Sequence, residues 1–324
     1  MKLNQAGERK LIKDFVYPEL LKHQSEFLGD DGAVLDLKDG HSLVISTDAG
    51  PQSTFLNALN IGSWVDIGHF FAAISLSDIA AMGAQPIGLV AAFLMEPSAE
   101  EWVFRDLVNG VSQACFDAGA KYLGGDTKEG SSTRLVTTAF GLAQPDEVLS
   151  RRGARAGDCI FISGPLGRTV FSYVEAARSL KRGLAGTVVR PQPKIHFARQ
   201  LAIERLASSC MDMSDGPVSA ARELAEINEL SFTLDVSKMG IPEISHPMWY
   251  TLVLNAGGDL ELMFTASPND RERLTNLGAL ECGYVAKEQG NKVRLLNLPA
   301  DVEVAPYEHF RSAQSLNDCL RNII

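Results

Sequence analysis

Ile74-Ser75-Leu76-Ser77-Asp78-Ile79-Ala80-Ala81-Met82-Gly83-Ala84-Gln85-Pro86 is apolar and rich in small residues, yet it carries one carboxylate, Asp78. The run from Ser63 to Met82 has helical length, and Gly83 followed by Pro86 supplies a stop. An acid in such a helix has to be capped, paired or bound to a cation, because burying it alone is costly. A hydrogen-bonded Asp inside a packed helix meets that requirement as well as a cation ligand does. The choice between them falls to the rest of the chain.

Upstream, residues 1–28 read as helical, with Leu11, Ile12, Phe15, Leu20 and Leu21 as an apolar stripe broken at Pro18. Gly29-Asp30-Asp31-Gly32 is a turn by composition, and Ala33-Val34-Leu35 a short strand. Gly40 closes a hairpin onto Leu43-Val44-Ile45-Ser46-Thr47-Asp48, a strand that ends in an acid. Downstream, Gly88 to Leu94 reads as a strand. Ser98-Ala99-Glu100-Glu101 fits a capping box, opening a helix with Val103, Leu107, Val111 and Ala114 on one face. Tyr122-Leu123 is a strand running into a Gly124-Gly125-Asp126 turn, and Leu135 to Gly141 is another strand.

The polar stretch from Gln144 to Asp158, with Arg151, Arg152 and Arg155, marks a boundary between domains 1–148 and 149–324. Beyond it come a strand over Asp158–Ser163, a helix from Thr169 to about Arg182, a Gly/Pro-rich loop over 183–193 and a helix from Pro193 to about Leu206. Met211-Asp212-Met213-Ser214-Asp215-Gly216 is a further acid-bearing strand end, followed by a helix from Pro217 to about Asn228. Gly257-Gly258-Asp259 precedes a strand over Leu260–Thr265. Strands and helices alternate in both halves, so the class is mixed α/β, of α+β type.

With 324 residues the chain has room for two ordinary domains, and its formal net charge of −10 argues against nucleic acid or an anionic membrane as a partner. The same charge would repel a phosphorylated ligand unless divalent cations neutralise the site. Cys115, Cys159, Cys210, Cys282 and Cys319 form no C-x-x-C pair, and no run is long enough to span a membrane. Met1 to Gln5 opens no apolar leader core, so the expectation is a cytoplasmic protein with reduced thiols. A P-loop, a dinucleotide G-x-G-x-x-G, a G-x-S-x-G elbow and an H-E-x-x-H pair are all missing from the sequence. A histidine such as His69 reads as a surface or satisfied core residue.

The acids Asp31, Asp48, Asp78, Asp126, Asp212 and Asp215 lie in turns, at strand ends or in the central helix. Apart from Asp126, with Lys128 two residues on, none has a cationic partner within a helical turn in sequence. Carboxylates gathered from several segments need counterions, and hard oxygen ligands suit magnesium or manganese bridging to substrate phosphates. Gly29, Gly124, Gly125 and Gly216 would let backbone amides approach phosphate oxygens.

Taken in order, Gly29-Asp30-Asp31, Ser46-Thr47-Asp48, Leu76 to Ala84, Gly124-Gly125-Asp126-Thr127, Arg151 with Gly153-Ala154, Gly157-Asp158 and Asp212 to Gly216 resemble the thiamine-monophosphate kinase family of the aminoimidazole-ribonucleotide-synthetase superfamily. Gly7-Glu8 is similar to that family's N-terminal signature. The resemblance implies two α/β domains, a first sheet that pairs across a homodimer, ATP as co-substrate and several magnesium ions. On matching positions it implies a magnesium shell of Asp31, Ser46, Thr47, Asp48, Asp78, Asp126, Asp212 and Asp215. It implies nucleotide contacts at Thr47, Gly125, Asp126, Arg151 and Ser214, with Asp48, Asp78, Asp126 and Asp215 as the catalytic acids.

The acceptor side departs from the family pattern. The segment from Ala49 to Phe55 lacks the family's His, Gly257 to Leu262 is one residue shorter, and no Trp precedes Tyr307-Glu308-His309-Phe310. Phe55, Asp259 and Tyr307 are the substrate-site candidates. The implied activity is magnesium-dependent transfer from ATP to the phosphate of thiamine monophosphate. Alternatives are a kinase of another small metabolite and a nucleotide-binding regulator without catalysis.

Overall fold

The computed structural model describes residues 5, 7–22, 29–50, 56, 59–242, 247–287, 292–300, 302 and 304. It begins with α1 (Glu8–Leu11), a π-helical stretch (Ile12–Val16) and α2 (Tyr17–Lys22). The helix is not broken at Pro18. The wider π turn takes up a residue whose missing N–H could not bond Asp14 in a regular α-helix. The apolar stripe expected here leaves Phe15 and Leu21 exposed.

β1 (Ala33–Asp36), β2 (Ser42–Ala49), α3 (Trp64–Ala81), β3 (Gln85–Met95), α4 (Glu101–Asp117), β4 (Lys121–Glu129) and β5 (Arg134–Ala143) follow. Their strands form one sheet in the order β1-β2-β5-β3-β4, antiparallel except for β3 and β4, which α4 connects in parallel. Ser63 caps α3 as the capping box requires, its hydroxyl accepting from the Asp66 amide at 3.2 Å while Asp66 Oδ2 accepts from the Ser63 amide at 2.7 Å. Met82 and Gly83 end the helix.

α3 is enclosed on nearly every side, which an all-round apolar helix demands. It lies on β2 and β5 and against α4. The two helices meet backbone to backbone: a Cβ on Gly68 would stand 2.3 Å from the Leu107 carbonyl oxygen, and one on Gly110 2.1 Å from that of Val65. His69 of α3 is a core histidine, fully buried, with Nε2 3.4 Å from Asp117 Oδ2.

Two further expectations fail in this half. Ser98 does not cap α4: the helix starts at Glu101 behind an extended Glu100 whose side chain makes no cap, because Ala99 is already turned back onto the Glu96 carbonyl at 2.9 Å. Gly124-Gly125-Asp126 is not a turn but part of the continuous strand β4. The register with β3 shifts there, and Gly125 (φ 152°) lies so close to β3 that a Cβ would meet the Ala91 oxygen at 1.8 Å.

The second half contains β6 (Cys159–Ile162), α5 (Arg168–Lys181), α6 (Ile195–Ile203), β7 (Ser209–Asp212), α7 (Pro217–Asn228), β8 (Ser231–Asp235), α8 (Pro247–Ala256), β9 (Leu262–Ala266), α9 (Arg271–Asn276), β10 (Leu280–Ala286) and β11 (Val293–Leu296). Its sheet runs β11-β8-β10-β6-β9-β7, antiparallel but for β11 on β8. β9 starts two residues later than expected because Leu260 takes a left-handed backbone, φ 53°.

α3 also packs against α6 and β7 of this half. One apolar core therefore runs from Val44, Leu76 and Met82 through Leu201 and Ala202 to Phe161 and Phe264. That contact brings the Asp78 helix up to the strand that ends in Asp212. The cysteines at 115, 159, 210 and 282 are free and buried, and Cys319 lies outside the described residues. Among the described residues no helix is long and apolar enough to cross a membrane.

Candidate active site

Asp31 precedes β1, Asp78 belongs to the last turns of α3, and Asp212 closes β7. Each turns one carboxylate oxygen inward, and those atoms lie within 4.8 Å of one another. Neighbouring hydroxyls fix two of them. Ser46 of β2 donates to Asp78 Oδ2 at 2.5 Å, and Ser214 donates to Asp212 Oδ1 at 3.0 Å. Asp48, two residues along β2 from Ser46 and so on the same face, accepts from Ser75 of α3 at 3.0 Å. The preceding turn is locked separately: the Asp30 carboxylate accepts the Arg151 amide at 2.5 Å and the Ser150 hydroxyl at 3.0 Å.

Arg151 is the cation that this site draws from far along the chain. Its Nη2 donates to Asp31 Oδ1 at 2.6 Å and its Nη1 to Glu223 Oε2 at 2.7 Å. Burial works against the guanidinium charge, but Asp31 and Glu223 outweigh it and raise the Arg151 pKa. A single arginine does not neutralise the cluster. Burial, then the charges of Asp212, Asp48 and Asp31, push the Asp78 carboxyl well above the usual carboxylate range. Burial and Asp31 push Asp212 up to about 8.

The donor set is all oxygen, and Oδ2 of Asp31 and Oδ2 of Asp212 are buried with no hydrogen-bond donor. Orphaned carboxylate oxygens on Asp31 and Asp212, beside the Asp78 carboxyl, are what a hard divalent cation would satisfy, and the group fits magnesium. Asp31, Asp78 and Asp212 would hold it.

The other sequence candidates are placed differently. Strand alternation turns Thr47 to the opposite face from Ser46 and Asp48, where its hydroxyl lies 3.0 Å from that of Thr138. Asp126 is exposed on the edge strand, its Oδ1 accepting the Thr127 amide at 2.9 Å. Asp48 and Gly125 share one row across the sheet, through Thr137 and Ala91. That row puts three strand spacings, about 14 Å, between the two. Asp215 is half-buried in the turn before α7, beside Ser214. Asp259 caps α5 from a distance, accepting the Gly167 and Thr169 amides at 2.5 and 2.8 Å. Phe55 and Tyr307 lie outside the described residues.

Sequence reasoning passed over Asp30, Ser75 and Glu223. Asp30 had a signal, as half of an acidic pair in a glycine turn. Ser75 sits one helical turn before Asp78, which a helical projection exposes. Glu223 had none, because its partner Arg151 is 72 residues away.

Residues 29–143, which carry Asp31 and Asp78, match the family described as AIR synthase related protein, N-terminal domain. Whole-chain relatives narrow this further. The thiamine-monophosphate kinase of Methanospirillum hungatei is 32% identical over 254 residues, 78% of this chain and 84% of the relative. That of Bacillus subtilis is 26% identical over 324 residues, 91% of this chain and 97% of the relative. The crystal structure of thiamine-monophosphate kinase from Stenotrophomonas maltophilia superposes with a TM-score of 0.69 at 25% identity, covering 91% of this chain and 96% of that one. A structure of AaThiL complexed with AMPPCP and TMP shares the fold with a TM-score of 0.76 at 22% identity, over 95% and 99% of the two chains. The chain belongs to the thiamine-monophosphate kinase family.

Proposed function

We propose that the chain is an ATP-dependent kinase that transfers the terminal phosphoryl group of ATP to the phosphate of thiamine monophosphate, giving ADP and thiamine diphosphate in the cytoplasm. The observation that carries this is the convergence of Asp31, Asp78 and Asp212 within 4.8 Å. Magnesium held there would neutralise the triphosphate and the developing charge of in-line transfer. Ser46, Ser75 and Ser214 hold Asp78, Asp48 and Asp212 in fixed orientations, so the ligand set is formed before substrate arrives. Arg151 adds charge-assisted donors for phosphate oxygens. Asp126, Asp215 and Gly125 complete the nucleotide side in this reading, brought to the cluster by the bound triphosphate, whereas the Thr47 side chain stays on the other face of the sheet.

The acceptor explains why no general base stands out. A phosphate monoester with a second pKa near 6 is already largely ionised at neutrality and attacks without losing a proton. Leu35, Ile87 and Leu123 stand exposed on the first sheet. An apolar sheet face of this kind supports the homodimer that the family resemblance implies, and sedimentation at micromolar concentration checks it: a monomer would reject that part.

The test is ADP release in the presence of magnesium. Thiamine monophosphate should support it, and excess chelator should abolish it along with nucleotide binding. ATP binding that persists unchanged in chelator would reject the shared-metal site. Two observations favour a second acceptor: the sequence from Ala49 to Phe55 has no His, and Asp259 is engaged in capping α5. A panel of phosphomonoesters in the same assay separates the two, since turnover with another member and none with thiamine monophosphate would replace the first reading.

A further inference from the structure

Arg9, Glu223, Arg151 and Asp31 alternate in charge along one line from the surface into the carboxylate cluster, and the reaction proposed above uses only the inner two. Arg9 on α1 donates Nη2 to Glu223 Oε1 at 2.9 Å and to Ser219 Oγ at 2.8 Å. The other oxygen, Glu223 Oε2, accepts Arg151 Nη1 at 2.7 Å, and Arg151 Nη2 reaches Asp31 Oδ1 at 2.6 Å. Side-chain exposure falls inward along the line, from 39% at Arg9 through 26% and 17% to 0% at Asp31. Water and salt therefore screen the outer contact far more than the inner one.

Glu223 divides its carboxylate between two arginines, one oxygen each. That division decides what Glu223 does near a phosphate. A guanidinium held at one terminal nitrogen by Glu223 and at the other by Asp31 has its plane fixed, which is what oriented recognition of phosphate oxygens needs. A carboxylate so close to a triphosphate site would repel the ligand if it stood alone. Arg9 supplies the missing positive charge at Glu223 Oε1, and each terminal nitrogen of the held Arg151 carries a second N–H for phosphate.

We infer that Glu223 and Arg9 are positioning residues for the nucleotide: Glu223 sets the plane of the Arg151 guanidinium, and Arg9, carried on the N-terminal helical stretch, neutralises Glu223 so that the assembly attracts the triphosphate. This makes residues 7–22 part of the nucleotide site although they touch none of the clustered acids. The inference rests on reading Arg151 as a phosphate contact.

Steady-state kinetics and melting temperature on the full chain test it, with Arg151→Met, Glu223→Gln, Arg9→Met, Arg9→Lys and the double variant Arg9→Met/Glu223→Gln. Expected is a KM for ATP raised about 5–10-fold by Glu223→Gln and about 2–5-fold by Arg9→Met, with kcat within about twofold. Arg9→Lys should recover much of the Arg9→Met loss. In the Glu223→Gln background Arg9→Met should add nothing, since the two act through one contact. A KM unchanged in both single variants, with Arg151→Met raising it strongly, overturns this inference and leaves the proposed function standing. A KM unchanged in Arg151→Met as well overturns the phosphate role of Arg151 and the inference with it.

Discussion

Asp78 and Asp126 look alike in the sequence, each an acid that follows a run of small or apolar residues, yet the fold treats them as opposites. Asp78 rides on a helix enclosed by both sheets and faces two further acids. Asp126 stands on an edge strand in water, its charge met by the Thr127 amide and by Lys128 Nζ at 3.8 Å. What separates them is the enclosure, not the residue. The same carboxylate is a stored electrostatic cost in one place and a neutral surface feature in the other, and only the first creates a demand for a cation.

The largest effect that could break this contrast is on turnover. Asp78→Asn keeps size and hydrogen bonding but removes a ligand charge, and kcat/KM should fall by about a thousandfold or more, some 4 kcal/mol of transition-state stabilisation. The metal-free protein should at the same time be no less stable than its parent, because a repelled buried charge is gone. A melting temperature that drops while activity per folded molecule survives would make Asp78 a structural residue.

A smaller effect concerns pH. Asp78 and Asp212 have raised pKa values in the folded chain, so between pH 4 and about 8 the folded state binds more protons than the unfolded one. Metal-free stability should therefore be highest at the acidic end and fall as pH rises, with a slope of up to about 1.4 kcal/mol per pH unit per proton. Magnesium should reverse the trend, stabilising most at the alkaline end and releasing protons on binding. Asp78→Asn should flatten the metal-free slope. Asp126→Asn should leave it alone and shift stability by less than about 0.5 kcal/mol. Denaturant titrations across pH give the slopes, and a flat parental curve would mean that the cluster is not under charge stress.

The smallest effect sharpens the comparison with a third acid. Asp259 is neither clustered nor idle, since it caps α5. Asp259→Ala should cost about 1 kcal/mol of stability. A shift in the acceptor KM without that loss would instead assign the side chain to the substrate.

How much of this could be read from the residues follows from distance along the chain. Ser63, Asp66 and Gly83 delimit α3 by contacts spanning three residues, and a local pattern captures those. Ser98-Ala99-Glu100-Glu101 carries the same capping pattern and fails, because Ala99 is bound into a turn that the pattern does not encode. Gly124-Gly125 reads as a turn by composition, whereas what it provides is close approach of β4 to β3, a tertiary requirement with no local signature. The acids at 31, 78 and 212 were legible as candidates one by one. Their convergence, and the pairing of Arg151 with Asp31 across 120 residues, depend on α3 meeting β7 and appear only once the halves are packed together.

The glycine crossing of α3 and α4 has a consequence for how the site opens. With Gly68 set against Leu107 and Gly110 against Val65, neither helix can slide or tilt without breaking backbone contact along both. Amide protons in the latter half of α3 should then exchange with deuterium only through global unfolding, while those of the exposed edge strand β4 exchange through local fraying. The carboxylate helix should thus be among the slowest-exchanging elements, and the motion that ligand capture requires is expected from the edge strand and the turns around Asp78.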